Sequence, residues 1–288
     1  MPEDRDRYIP GVPCWVDTAQ PDPEAAVAFY GGVFGWEFED RMPADAPGNY
    51  FVARLRGEDV AAVGSQQEGA PPTPAWSSYV WVDSADDAAA AVTAAGGQVL
   101  GEPFDVLGAG RMAVLADRSG AAICVWQAGE HRGAELVNEP GSWNFSDLYT
   151  RDPDAARAFY GEVFGWEESG LGQDGAEFGF WRRPGYGDFL EQRTPGLHAR
   201  MDEMGAPEGF ADAVASIVLM TDDRFGEDAP AHWGVTFAVE DADATAERAT
   251  ELGGEVLTPP FDAPWVRTAV LRDPQGAVFT ASKFVPPE

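Results

Sequence analysis

Basic side chains are scarce in this chain of 288 residues. Lys and Arg together number 19, with Lys283 the single lysine, and with three histidines, His131, His198 and His232, they stand against 49 Asp and Glu, for a formal net charge of −30. That balance excludes a nucleic-acid partner, because displacing counterions from phosphate needs a basic footprint. It favours cationic ligands by raising their local concentration, and it is also an ordinary route to solubility. Cysteine is equally thin, with only Cys14 and Cys124. Two are too few for a disulfide framework and suit a cytoplasmic protein. No apolar run reaches the ~18 residues that a membrane span needs. The opening Met1–Arg7 has no apolar leader core.

What the chain does have is repetition. Phe29-Tyr-Gly-Gly-Val-Phe-Gly-Trp-Glu37 recurs, one residue changed, as Phe159-Tyr-Gly-Glu-Val-Phe-Gly-Trp-Glu167. Further on, Ala75 matches Ala231, Asp117 matches Asp273 and Gly120 matches Gly276, at a larger displacement. One segment has been copied in tandem, and the second copy has gained about 26 residues internally. The expected domains are 8–130 and 138–285, joined by the polar, Gly-rich stretch Gln127–Gly141. The extra residues fall at 186–211, between two strands of a hairpin, and read as a lid or as a surface excursion.

Each copy opens on an alternating stretch, Val12–Thr18 or Trp143–Thr150, that predicts a strand. Asp22 and Asp152 then cap helices over Glu24–Phe34 and Asp154–Phe164, with Pro23 or Pro153 in the first turn. Gly35 and Gly165 end them. Hairpin strands follow at Tyr50–Arg56 with Val60–Ser65, and at Ala176–Arg182 with Ala213–Met220. The second half of each copy predicts strands at Tyr79–Asp83 and Val235–Glu240, then helices at Asp86–Ala95 and Ala242–Leu252. It closes on two or three strands, including Arg111–Ala116 with Ile123–Gln127, and Thr268–Arg272 with Val278–Phe284.

Phe-Tyr-x-x-Val-Phe-Gly-Trp, the acidic helix entries of the second halves, Asp117-Arg-Ser-Gly-Ala121 and Asp273-Pro-Gln-Gly-Ala277 together resemble the vicinal oxygen chelate superfamily. That group includes glyoxalase I, bleomycin-resistance proteins and extradiol dioxygenases. The resemblance covers nearly the whole chain, twice, and is nearest to two-module actinobacterial hydroxylase-like members that look like accessory proteins of secondary metabolism. It implies an α+β fold, a tandem duplication of paired βαβββ modules, each curling a sheet around a U-shaped cleft. Metal-dependent members place two His or Glu ligands near the starts of the first strand of each half and a Glu on the last strand. The matching positions here are Trp15, Ser77 and Cys124 in copy one, and Phe145, Gly234 and Thr280 in copy two. An indole or a phenyl offers a divalent ion no donor, and Cys124 alone makes no site. His232 lies two residues from Gly234, so only a slip in register would bring it to a ligand position. No metal or other cofactor is therefore expected.

Alternation along the strands puts Trp15 and Asp17 on one face, with Phe145, Asp147 and Tyr149 as their counterparts. It also groups Tyr79 with Trp81, and Cys124 with Trp126. Tyr50 opens the hairpin, and Arg111 and Arg267 stand where they could close one end of a cleft or pair with Asp105 and Asp262. Aromatic walls with a few polar groups suit a planar, largely apolar ligand, and an amine on it would meet Asp17 or Asp147. The same aromatics could equally fill a closed core. The first expectation is a metal-free carrier, sequestration or accessory protein for an aromatic small molecule, an antibiotic or other secondary metabolite with or without a cationic group, a monomer or homodimer, using the first cleft. The second is a cofactor-independent isomerase, cyclase or lyase with Asp17 or Asp147 as base. A metal-dependent glyoxalase or dioxygenase is the third. Cys124 as a nucleophile lacks a histidine nearby in sequence.

Overall fold

The computed structural model describes residues 7–69, 72–172 and 176–286. Met1–Asp6, part of the stretch inspected for a leader, lie outside them. Each copy repeats one order of elements. In copy one, strand β1 (Pro13–Gln20) leads into helix α1 (Pro23–Phe34), then β2 (Glu37–Asp40), β3 (Tyr50–Leu55) and β4 (Glu58–Ser65). Its second half is β5 (Trp76–Trp81), α2 (Ala85–Ala94), β6 (Gln98–Val106), β7 (Gly110–Ala116) and β8 (Ala122–Ala128). Copy two begins with β9 (Trp143–Thr150), α3 (Pro153–Phe164), β10 (Glu167–Ser169) and β11 (Phe178–Arg182). The insertion follows as α4 (Tyr186–Arg193), α5 (Leu197–Glu203) and a 3-10 turn at Phe210–Asp212, before β12 (Ala213–Leu219) and the short α6 (Asp222–Phe225). The copy ends with β13 (His232–Ala238), α7 (Ala242–Glu251), β14 (Glu255–Ala263), β15 (Val266–Arg272) and β16 (Val278–Phe284).

The strands form two open, mixed eight-stranded sheets, ordered β2-β3-β4-β1-β5-β8-β7-β6 and, in the same pattern, β10-β11-β12-β9-β13-β16-β15-β14. This is the α+β architecture that the family resemblance implies. Among the described residues, no helix is long and apolar enough to cross a membrane.

The repeated helix shows how sequence sets structure. Asp22 and Asp152 accept the backbone N–H of Ala25 and Ala155, each at 3.0 Å, which caps the two helices. Gly35 and Gly165 stop them in the left-handed region, at φ of 73° and 69°, where a Cβ would be strained. Between cap and stop, Ala26, Phe29, Tyr30 and Phe34 form one buried stripe, and Ala156, Phe159, Tyr160 and Phe164 form the other. Each fully buried aromatic contributes roughly 1.5–3 kcal/mol of transfer free energy.

Packing cuts across the copies. One compact unit holds residues 1–14, 79–132 and 146–233, and the other holds 15–78, 133–145 and 234–288. In the second unit Phe29, Tyr30, Phe34 and Trp36 of copy one pack against Phe237 and Phe279 of copy two, with ring centroids 4.9–6.3 Å apart. In the first unit Tyr160, Phe164, Trp166, Trp181 and Trp233 make an aromatic cluster within copy two. Trp36 and Trp166 donate their indole N–H to the carbonyls of Gly141 (2.6 Å) and Gly11 (2.5 Å).

The linker differs from the free surface stretch that its composition suggests. Glu135 accepts from the Asp59 N–H and donates its own N–H to the Asp59 carbonyl, Ala134 is buried, and Gly141 receives Trp36. Two further strands, β2 and β10, were not anticipated, and the second half of each copy closes on three strands rather than two, β6 and β14 being the additional ones. β2 and β10 have four and three residues, and β6 and β14 are sheet edges interrupted by Pro103 and by Pro259 and Pro260. An edge strand tolerates proline because one side of its ladder is unpaired.

Candidate functional site

The first half of copy one sets a carboxylate in a chain of donors. Asp17 on β1 lies opposite Ala62 on β4, which lies opposite Val52 on β3. Residues so paired share a face, and two-residue steps along each strand add Trp15 and Tyr50 to it. The buried Trp15 donates its indole N–H to the Tyr50 hydroxyl at 3.0 Å, and Tyr50 donates its O–H to Asp17 Oδ2 at 2.9 Å. Each donor polarises the next, so the half-buried carboxylate is held in one orientation. Three of the residues singled out from sequence are thus brought into one hydrogen-bonded group.

Copy two repeats the row with other chemistry. Asp147 on β9 lies opposite Ser216 on β12, which lies opposite Phe180 on β11. Ser216 replaces Ala62, and its hydroxyl donates to Asp147 Oδ1 in a very short contact. Asp147 is 8% exposed and Ser216 buried. Trp181, one residue on from Phe180, packs on Tyr160 of α3 at 5.5 Å, so the Phe180–Ser216–Asp147 row faces away from the helix. The next row is Phe178, Val218 and Tyr149. Tyr149 stacks on His232 at 4.7 Å and 10°, with Phe225 5.7 Å away on α6. His232 Nδ1 is 3.0 Å from the Pro230 carbonyl. A carbonyl only accepts, so Nδ1 is the donor in this contact. Sequence reasoning missed Ser216, Phe180 and His232 as members of this face. Ser216 is 69 residues from Asp147, and register across that distance is not written in local pattern.

In the second half of copy one, Tyr79 lies opposite Cys124 and Trp81 opposite Trp126. All four are buried, and they are packed among rings. Trp126 meets Tyr79 at 6.3 Å and His131 at 5.6 Å and donates to the His131 carbonyl, while Trp81 meets Tyr8 at 6.1 Å. Arg111 is engaged by two carboxylates, Asp86 at the start of α2 and Asp105 on β6. Arg267 is held in the same way by Asp243 and Asp262. The bonds from Arg111 and Arg267 lower the Asp86 and Asp243 carboxyls below their ordinary value and raise the guanidinium groups further. Phe145 is half-buried on β9, two residues before Asp147.

The six positions that the resemblance marks for metal ligands do not fit a metal. The Trp15 N–H is engaged as a donor, Ser77 brings one hydroxyl on β5, the Phe145 and Gly234 side chains carry no ligating atom, and Cys124 is buried opposite Tyr79. Thr280 lies opposite Thr236 and Val270, neither of them an ionisable ligand. Among the described residues no three His, Cys, Asp or Glu gather as a metal-holding group. Indole, phenyl and lone hydroxyl groups do not form a divalent-cation shell.

The Glyoxalase/Bleomycin resistance protein/Dioxygenase superfamily model matches residues 15–125 and 143–280, one match in each copy. The chain is 38% identical over 291 residues, 99% of each chain, to CFP32 of Mycobacterium bovis, which carries a provisional glyoxylase name. It is also 38% identical over 289 residues to the anthracycline biosynthesis protein DnrV of Streptomyces peucetius, covering 95% of this chain and 94% of that one. Among solved structures, the Mn(II)-bound glyoxalase of Novosphingobium aromaticivorans matches with a TM-score of 0.58 at 18% identity, over 95% of this chain and 82% of its own. The 2,3-dioxygenase LapB of Pseudomonas sp. KL28 matches with a TM-score of 0.58 at 14% identity, over 98% and 96%. Matched in both of its copies and along almost its whole length, the chain belongs to the glyoxalase, bleomycin-resistance and dioxygenase superfamily.

Proposed function

We propose that the chain is a metal-free binding protein for an aromatic small molecule, acting as a carrier, sequestration or accessory protein of secondary metabolism in the cytoplasm, as a monomer or homodimer. The observation that carries this reading is the Trp15–Tyr50–Asp17 chain, which places an oriented carboxylate and two aromatic rings where metal-dependent relatives would begin a ligand set. A carboxylate accepts hydrogen bonds and attracts cations, so the ligand it suits is a flat ring system bearing an amine. The excess of acidic residues works the same way at longer range. Two relatives named for anthracycline biosynthesis, DnrV and DauV, give the reading a chemical direction.

The test is quenching of the tryptophan fluorescence by an aminosugar-bearing anthracycline and by its aglycone. Saturable quenching is expected, stronger for the amine, and Asp17→Asn should weaken the amine about tenfold, or ~1.4 kcal/mol. Absence of saturable quenching across a panel of aromatic amines and polyketides would sink the proposal. Stoichiometric zinc, nickel, iron or manganese in the purified protein would sink its metal-free part.

A cofactor-independent isomerase, cyclase or lyase is the second reading, favoured by the buried Asp147 with Ser216 beside it. A base in such a place contributes ~10²–10⁴-fold to rate. Asp147→Asn would then cut kcat by that much with KM little changed. In a binding protein the same change alters Kd, and no product forms from any ligand that binds.

A further inference from the structure

Arg267 marks which way the last strands of copy two face. Across β14, β15 and β16 it stands in the row Asp262–Arg267–Lys283, and its guanidinium reaches Asp243 of α7. That row is therefore turned toward the helix. The rows on either side, Phe261–Thr268–Ser282 and Ala263–Val266–Phe284, point the other way. Of the three rows only the one on the helix side carries charge, and the opposite face offers rings, methyl groups and hydroxyls alone.

That face is open to solvent. Phe284 is 53% exposed and Phe261 41%, and Val285, next along the chain, is exposed as well. Trp265, in the turn between β14 and β15, stacks on Phe284 with centroids 6.2 Å apart and planes at 22°. Its carbonyl accepts the Val285 N–H at 2.7 Å, and its indole N–H meets no acceptor among the described residues. In copy one the matching rows are Phe104–Met112–Trp126 and Val106–Gly110–Ala128. There the ring on the last strand is Trp126, which is buried and engaged by His131 of the linker. Copy two leaves its rings uncovered.

The turn also holds Trp265 in a strained backbone. Its φ is +69°, in the left-handed region that suits glycine and not a bulky side chain. Leu107 in the corresponding turn of copy one is left-handed too, at φ of +50°, so the turn recurs and the ring does not. A half-exposed indole returns little to a core, and strain that folding does not repay points to a ligand.

Size and charge choose the occupant. The exposed parts of Phe261 and Phe284 amount to roughly 200 Å², from ~150–250 Å² for a whole aromatic side chain. A stable dimer buries ~800 Å² on each partner, so the patch falls well short of a second copy and matches one side of a fused ring system. With no charge on the face the ligand is neutral, and the Trp265 N–H supplies a donor for a ring carbonyl.

We infer that Phe261, Trp265 and Phe284 form a second aromatic site, which takes a neutral fused ring system bearing a carbonyl and holds it flat on the sheet face. The inference rests on the aromatic-binding role proposed above and adds a site that does not use Asp17.

Equilibrium dialysis of the full chain against quinizarin, a neutral dihydroxyanthraquinone, read by its visible absorbance, tests it. Phe284→Ala alters an exposed side chain and Trp265→Gly relieves the backbone, so both are expected to fold with the urea midpoint kept or raised. Each should weaken quinizarin at least tenfold. Trp265→Phe, which keeps a ring and loses the N–H, should cost about threefold, and Asp17→Asn less than twofold. Quinizarin affinity unchanged within twofold by Trp265→Gly or by Phe284→Ala would overturn the inference. If both changes spare quinizarin and turn a sedimenting dimer into a monomer, the face holds a second copy and the inference fails. If quinizarin answers only to Asp17→Asn, the inference fails and the binding role stands. If the wild-type chain binds neither quinizarin nor an aromatic amine, both fail together.

Discussion

A carboxylate removed from water needs donors, and Asp273 has five. Its Oδ1 accepts the N–H groups of Gln275 (2.9 Å), Gly276 (2.7 Å) and Ala277 (2.9 Å), and its Oδ2 accepts Gln20 Nε2 and the Tyr30 hydroxyl, both at 2.8 Å. Tyr30 in turn accepts the Trp76 indole N–H at 3.0 Å. Asp117, Tyr160 and Trp233 repeat this arrangement in the other unit. Burial first, and then the neighbouring carboxylate, push both phenols well above their ordinary pKa, so each remains a donor. The tyrosine of the repeated Phe-Tyr motif and the aspartate of the Asp-x-x-Gly turn are thus two halves of one bond, which is why both recur. Tyr30→Phe removes a charge-assisted hydrogen bond and strips the Trp76 N–H of its acceptor. A loss of about 2–3 kcal/mol is expected, seen as a lower urea midpoint with an unchanged slope. Trp76→Phe, which leaves the Tyr30–Asp273 bond intact, should cost less.

At the scale of elements, Arg111 and Arg267 tie a helix start to a hairpin. Arg111 spans Asp86 in the first turn of α2 and Asp105 on β6, and Arg267 spans Asp243 of α7 and Asp262 on β14. Because the guanidinium lowers the Asp86 and Asp243 carboxyls, their contribution is present above the ordinary carboxylate value. It is lost as pH falls through the lowered one. Asp86 is exposed and Asp243 half-buried, so salt screens the effect, more at Asp86. In an NMR titration Arg111→Gln should return Asp86 toward 3.8, and added salt should narrow the difference between wild type and variant.

These elements also show what the sequence made legible. The helices were plain, because Asp, Pro and Gly mark their ends and apolar residues recur at helical spacing. Asp17 and Trp15 were grouped because strand alternation sorts side chains without any knowledge of partners, whereas Tyr50 was marked only as the residue that opens the hairpin. The row of Phe180, Ser216 and Asp147 was hidden because it depends on the register of three strands, one of them beyond the insertion. The 186–211 segment gave no helical stripe, since α5 buries nothing. Its two helices are held by backbone donors to Glu191 and Asp212, a device that leaves no periodic trace.

At the scale of the whole chain, the copied segment is not the unit that packs. Each compact unit takes residues from both sides of the linker. A cut after Arg132 would therefore separate Tyr30 from Asp273, Tyr160 from Asp117 and Trp36 from Gly141. Each fragment would keep a complete set of strands, but the first would expose the Phe29–Phe34 stripe that packs on Phe237 and Phe279, and each would strip two buried polar groups, Tyr30 and Asp117 in one and Tyr160 and Asp273 in the other, of a hydrogen-bond partner, at ~1–3 kcal/mol for each group. Set against a typical domain stability of ~5–15 kcal/mol, together with the lost apolar burial, that is enough to prevent folding. Residues 1–132 and 133–288, expressed separately, should show no cooperative unfolding as monomers and should recover it when mixed in equal amounts. The repeat leaves one further route, because Asp117 stands in copy one where Asp273 stands in copy two. Two identical fragments can exchange Tyr30–Asp117 bonds, so folding of one fragment alone should appear only with dimerisation and should rise in midpoint with concentration. A fragment that sediments as a monomer and melts cooperatively, independent of concentration, would refute this account of how the two copies depend on each other.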